Sequence, residues 1–169
     1  MSIGRLFVSL ILLASPAVLR AQTPADTLPV VRRIAPADIA PILAGERGNV
    51  VLLNIWASWC KPCMEELPFL SALRNELAGK RFTLLLMSDD DGGAIDSLVR
   101  PALRKSGVSF PSYNLGGMDD ERLINTVDSS WSGALPATFL YAAGGRLTLR
   151  LVGGRTKSEF LDAVRRLLP

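Results

Sequence analysis

Cys60 and Cys63 are the only cysteines in the 169 residues, and they stand just past the point where an apolar run stops. Residues 50–55 (VVLLNI) are almost wholly apolar and rich in β-branched side chains, the pattern of a strand buried on both faces of a sheet. Cys60-Lys61-Pro62-Cys63 follows, and its Lys-Pro pair suits the first turn of a helix, where the N–H that proline lacks has no partner to lose. A buried strand therefore delivers Cys60 to a helix N-terminus. There the unpaired backbone N–H groups and the positive end of the helix dipole favour a thiolate, the reactive form of cysteine. Two sulfurs at this spacing can close a small disulfide and reopen it.

The rest of the chain is arranged around that stretch. The helix after the cysteines carries Leu67, Leu70, Leu73 and Leu77 on one face, with a kink expected at Pro68 and a stop at Gly79. Residues 81–88 (RFTLLLMS) read as a second buried strand, and a strand-helix-strand unit of this length implies a parallel pair with a right-handed crossover. Asp89, Asp90 and Asp91 read as a polar loop that starts the next helix; EF-hand spacing is absent. Residues 94–106 have helical spacing with a bend at Pro101, 108–115 a short extended pattern, and 119–127 a short helix opened by acidic residues. Residues 137–142, Gly144-Gly145 and residues 146–152 form an antiparallel hairpin. A final helix over 157–168 buries Phe160, Leu161, Val164, Leu167 and Leu168. Upstream, 36–44 is a short helical stretch interrupted by Pro41.

The string LLNIWASWCKPCMEELP resembles the thioredoxin superfamily, and within it the exported thiol-disulfide oxidoreductases of the TlpA/ResA type. Three features carry the subgroup: Asn54 where cytoplasmic thioredoxins place a buried Asp, Glu66 three residues after Cys63, and a secretory leader. The resemblance implies an α/β fold with a central mixed β-sheet flanked by helices, and a helix and extended insertion after the second core strand. It implies catalysis by Cys60 and Cys63 with Glu66 as a functional carboxylate, and a cis Pro136 whose strand faces the disulfide. Leu135 would then offer its backbone to an extended substrate segment, with Trp59 as a partly exposed contact surface. No bound cofactor is implied. The implied partners are protein dithiols and disulfides, apocytochrome c among them, and a membrane thiol-reductant donor.

Residues 1–21 have a short n-region with Arg5, an apolar stretch and small residues up to Ala21, which reads as a signal peptide cleaved after Ala21. An uncleaved N-terminal anchor is the alternative, although the apolar run falls short of the roughly 20 residues that span a bilayer. Residues 22–35 are expected to be a flexible lead segment and 36–169 the folded domain, in an exported compartment where disulfides persist. The chain has 19 Lys plus Arg against 16 Asp plus Glu. Arg5 and Arg20 fall in the leader, so the remainder is nearly neutral, with no basic run or aromatic-basic interleave to attract nucleic acid.

Blander readings of the cysteine pair are weaker. A bridge between neighbours three apart closes too small a loop to add much chain-entropy stabilisation. The chain contains no His, so a closed zinc site, a haem-attachment C-x-x-C-H and a copper site each lack a ligand. The rival of another class is a non-catalytic module that holds a peptide along Leu135-Pro136. Glu66 has its own bland reading as a solvated helix residue, and Lys61 is expected to be solvent-exposed. The direction of exchange, reductase or oxidase, is set by the relative stability of the dithiol and disulfide forms rather than by Lys-Pro.

Overall fold

The computed structural model describes residues 28–117 and 120–169. The leader expected over 1–21, and the first part of the lead segment, lie outside the described residues. The central strand is the one the apolar run marks. β2 (Val50–Trp56) is buried at every position. Its side chains alternate between two cores: Val50, Leu52 and Trp56 enter one, and Val51, Leu53 and Ile55 the other. This period-2 division is why the run has no polar face.

Among the described residues, β1 (Val31–Arg33), β2, β3 (Phe82–Asp91), β4 (Ser112–Gly116), β5 (Ala137–Tyr141) and β6 (Leu147–Val152) form one mixed sheet in the order β1-β4-β3-β2-β5-β6. β3 lies parallel to β2, and β4 parallel to β3. β5 runs antiparallel on the other side of β2, and β6 completes the hairpin. Gly145 has a positive φ of 84° in the connecting turn, a conformation that suits glycine. α2 (Lys61–Glu76), α3 (Arg100–Lys105) and α5 (Lys157–Arg165) cover one face. Leu67, Leu70, Leu73, Leu103, Phe160 and Val164 form that core. α1 (Ile39–Gly45) and α4 (Asp120–Val127) cover the other, with Ile39, Leu123, Val127 and Trp131 packed against Phe139 and its neighbours. Among the described residues no helix is long and apolar enough to cross a membrane.

Three elements differ from the sequence expectation. β1 (Val31–Arg33) lies inside the segment expected to be flexible, yet it pairs in parallel with β4. Ser112 N–H donates to the Val30 carbonyl at 2.9 Å and Ile34 N–H to the Asn114 carbonyl at 2.9 Å. Three residues show no period of their own, so the pairing comes from tertiary context. The three aspartates are not a helix-initiating loop but the end of β3, which passes through a bulge between Ser88 and Asp91. Only Asp91 caps the turn that follows, accepting from Gly93 N–H at 2.7 Å. The helix around Pro101 begins as a 3-10 turn (Gly92–Ala94) and a π-type turn (Ile95–Val99) before α3. Proline cannot donate to the ladder, so the helix rewinds just ahead of it.

Candidate active site

The redox pair sits where β2 gives way to α2. Cys60 is the N-cap of α2, and its Sγ accepts a hydrogen bond from the Cys63 N–H at 3.3 Å. The two sulfurs are joined at 2.03 Å, with the Cα atoms 5.2 Å apart. A backbone N–H aimed at Sγ stabilises a thiolate there once the bond opens, together with the helix dipole. Cys63 is fully buried and Cys60 keeps 6% of its surface, beside a Trp59 that is 69% exposed. Lys61 and Glu65 point to solvent, with Nζ and Oε1 4.0 Å apart. Water screens the lysine charge, so the helix terminus is the main local source of positive potential.

Glu66 is not a solvated residue. It is 1% exposed, one helical turn beyond Cys63, in the core under α2. Its Oε1 accepts from Asn54 Nδ2 at 2.7 Å, and its Oε2 from the Arg155 backbone N–H at 3.1 Å. Asn54 Nδ2 also donates to Thr138 Oγ1 at 2.9 Å, while Asn54 Oδ1 is buried without a partner among the described residues. Burial outweighs these bonds and pushes the carboxyl up from 4.5 to about 7; the Asn54 and Arg155 hydrogen bonds and the Arg155 charge pull the other way. A carboxyl so placed takes up or releases a proton near neutrality. An open groove of about 410 Å³ between Pro62 and Phe69 of α2 and the Gly154–Thr156 segment reaches Glu66.

Pro136 is buried, and the Leu135-Pro136 bond is cis. Ala137, the next residue, pairs with Ile55 at the end of β2, which brings this corner to the redox pair. Leu135 packs against the core cluster that contains both cysteines. Among the described residues no backbone hydrogen bond engages its N–H or C=O. The loop ahead of it is braced by Trp131, whose Nε1–H donates to the Ala134 carbonyl at 3.0 Å and whose ring meets Phe139 edge to face.

The structure thus brings together Trp59, Cys60, Cys63, Glu66, Leu135 and Pro136, drawn from two regions about 70 residues apart. Sequence reasoning missed Arg155, whose backbone N–H holds Glu66, and Thr138, which holds the Asn54 amide. Thr138 stands two residues after Pro136 on a strand whose register against Asn54 could have pointed to it. Arg155 contributes a backbone N–H, which leaves no mark in the sequence. It also missed Asp90, whose carboxylate accepts from Ser58 in the cysteine loop.

Comparison with known proteins places the chain in a family. The Redoxin family model matches residues 24–117. ResA of Bacillus anthracis, a thiol-disulfide oxidoreductase, is 27% identical over 123 residues, covering 73% of this chain and 66% of its own. The thioredoxin-like protein YneN of Bacillus subtilis is 30% identical over 117 residues, covering 69% of this chain and 64% of its own. The chain thus spans slightly less than two thirds of the length of these curated relatives. A thioredoxin-family thiol:disulfide interchange protein of Chlorobium tepidum shares the fold at a TM-score of 0.61, with 24% identity over 73% of this chain and 83% of its own. The chain belongs to the Redoxin family, as a TlpA/ResA-like member of the thioredoxin superfamily.

Proposed function

We propose that this chain is an exported thiol-disulfide oxidoreductase that reduces disulfides in protein substrates, apocytochrome c awaiting haem among them. The observation that carries the reading is the asymmetry of the pair: Cys60 caps the helix N-terminus and keeps 6% of its surface exposed, while Cys63 is fully buried one turn inside. Cys60 thiolate attacks a substrate disulfide, forming a mixed disulfide and releasing one substrate thiolate. Cys63 then gives up its proton and attacks the Cys60 sulfur, which closes the Cys60–Cys63 bond and expels the second substrate thiolate. Two electrons pass to the substrate. Glu66, one turn along the same helix and with a pKa of about 7, is the acid–base group that accepts the Cys63 proton. An external dithiol, supplied from the membrane side, reverses the exchange and restores the pair. Substrate lies along Leu135-Pro136, pairing with the open backbone of Leu135, while Trp59 covers it from the other side.

Trapping tests this reading. Cys63→Ser leaves a nucleophile that can open a substrate disulfide but has no neighbour to release it, so reducible adducts accumulate on a non-reducing gel. Cys60→Ser traps few, because the remaining sulfur is buried. Adducts carrying a C-x-x-C-H segment support the cytochrome reading, and a broad set of exported proteins supports general disulfide repair. Failure of both variants to trap, with no turnover of a disulfide reporter by the wild type, would falsify the oxidoreductase reading and favour a peptide-holding module.

A further inference from the structure

The three adjacent aspartates at the end of β3 are not equivalent. Asp91 is exposed and only caps its own turn. Asp90 is 2% exposed and turns its carboxylate to a single residue on another element. Ser58 N–H donates to Oδ1 at 3.1 Å and to Oδ2 at 3.0 Å, and Ser58 Oγ–H donates to Oδ1 at 2.5 Å. Ser58 lies two residues before Cys60, inside the turn that Cys60 N–H closes onto the Ala57 carbonyl at 3.1 Å. Asp90 is itself held. Asn114, fully buried on β4, donates from Nδ2 to the Asp90 carbonyl at 2.8 Å and to Ser88 Oγ at 2.9 Å, across the β3 bulge.

A carboxylate taken this far out of water is costly unless donors meet it, and among the described residues its donors come from the loop that presents Cys60. That loop has neither helix nor strand bonds of its own between Trp56 and Lys61. Its orientation decides where Cys60 Sγ stands relative to the Cys63 N–H, and therefore how well the helix terminus stabilises the thiolate.

We propose that Asp90 is a positioning residue for the redox pair: gripping Ser58 from β3, it fixes the turn that sets Cys60 on the start of α2. This rests on the thiol-disulfide exchange reading above. Loss of the grip lets Sγ drift from the α2 N–H groups, which raises the Cys60 pKa and shifts its exchange equilibrium. Loss of a nearby negative charge alone acts the opposite way and lowers the Cys60 pKa, so the direction of the shift separates position from charge. The other ionisable groups on these elements are Lys61, Glu65, Glu66, Arg74 and Glu76 on α2, Arg155 ahead of α5, and Asp89 and Asp91 beside Asp90 on β3; of these the variants below change only Asp91, as the control.

The experiment measures Cys60 alkylation against pH in the reduced protein and the equilibrium with glutathione, after urea titration shows which variants fold. Ser58→Ala removes one bond without changing charge, and is expected to raise the alkylation midpoint by about half a unit and to change the glutathione equilibrium constant about threefold. Asp90→Asn is expected to shift both further in the same sense, with the double variant no worse than Asp90→Asn alone. Ser58→Thr, which keeps the hydroxyl, restores wild-type values, and Asp91→Asn leaves them unchanged. Wild-type titration in Ser58→Ala and in folded Asp90→Asn overturns the assignment, as does a downward shift or an equal effect of Asp91→Asn. Should Asp90→Asn fail to fold, Ser58→Ala alone decides. A wild type that exchanges with no disulfide at all sinks the oxidoreductase reading instead, while the alkylation profile still reads the role of Asp90.

Discussion

Replacing Glu66 by glutamine should make the oxidised protein more stable at alkaline pH while leaving it nearly unchanged at pH 5. Glu66 is buried, and its carboxyl is pushed from 4.5 to about 7. A carboxyl with a folded pKa above its unfolded value holds more protons folded than unfolded. Its favourable contribution is therefore complete below pH 4.5 and is lost as pH climbs to 7. The difference is roughly 2.5 units, and at about 1.36 kcal/mol per unit the wild type forfeits about 3 kcal/mol across that window. Glutamine does not ionise. It can keep the local bonds, because its oxygen accepts from the Arg155 N–H and its amide N–H₂ donates to Asn54 Oδ1, which is otherwise unpartnered, once the Asn54 amide turns over. Thr138 Oγ then donates where it now accepts. Urea titrations of the oxidised wild type and Glu66→Gln at pH 5, 6, 7 and 8 read the difference directly. With slopes of about 1–3 kcal/mol per molar, the midpoints should separate by roughly 1–3 M at pH 8. A difference between the two stability curves that stays flat from pH 5 to 8 would refute the buried, raised carboxyl.

Packing and capping elsewhere in the fold give further outcomes. Leu70 is fully buried between α2 and the sheet, so Leu70→Ala should cost about 2–5 kcal/mol in a urea titration. Thr156 caps α5, accepting from the Glu159 N–H at 3.3 Å, and Thr156→Ala should cost about 1 kcal/mol. Because Thr156 follows Arg155, the same variant should also speed amide exchange at the Arg155 N–H that Glu66 holds. Asp128 accepts from Ser130 N–H and Oγ–H and from Arg150, which hold its carboxyl down at about 2 against the usual 3.8. That contribution is present above pH 3.8 and lost as pH falls through 2. Asp128→Asn should flatten this part of the acid limb and cost about 1–2 kcal/mol at neutrality.

How much of this was legible depended on which residues carry a pattern of their own. β2 and its cysteines could be read because an all-apolar run and a Lys-Pro helix start each have a physical signature. The hairpin of β5 and β6 was equally legible through Gly144-Gly145 and its flanking strand residues. β1 was not, since Val31–Arg33 has no pattern of its own and takes its place through bonds to β4 and the burial of Val31. The aspartate run was misread because its charges look solvated in sequence, whereas the bulge after Ser88 buries one of the three. At the site, residue types gave Cys60, Cys63 and the spacing of Glu66. The burial of that carboxylate depends on Asn54, Thr138 and the Arg155 backbone converging from three separate segments.

That convergence also bears on how the two halves of the sheet find each other. Asn54 and Thr138 face one another in the β2–β5 register, and Arg155 arrives from the far side of the hairpin. Apolar neighbours such as Leu53 and Phe139 would tolerate many alignments of two oily strands. A slip of one residue, however, carries Thr138 to the opposite face, so the Asn54 amide loses its second acceptor and Glu66 Oε2 its donor at Arg155, both in the core. At about 1–3 kcal/mol for each unpaired buried group, misaligned pairings are expelled rather than trapped. The polar trio therefore works as a proofreading key for chain assembly: the C-terminal hairpin docks in one alignment, and that alignment sets Leu135-Pro136 beside the redox pair.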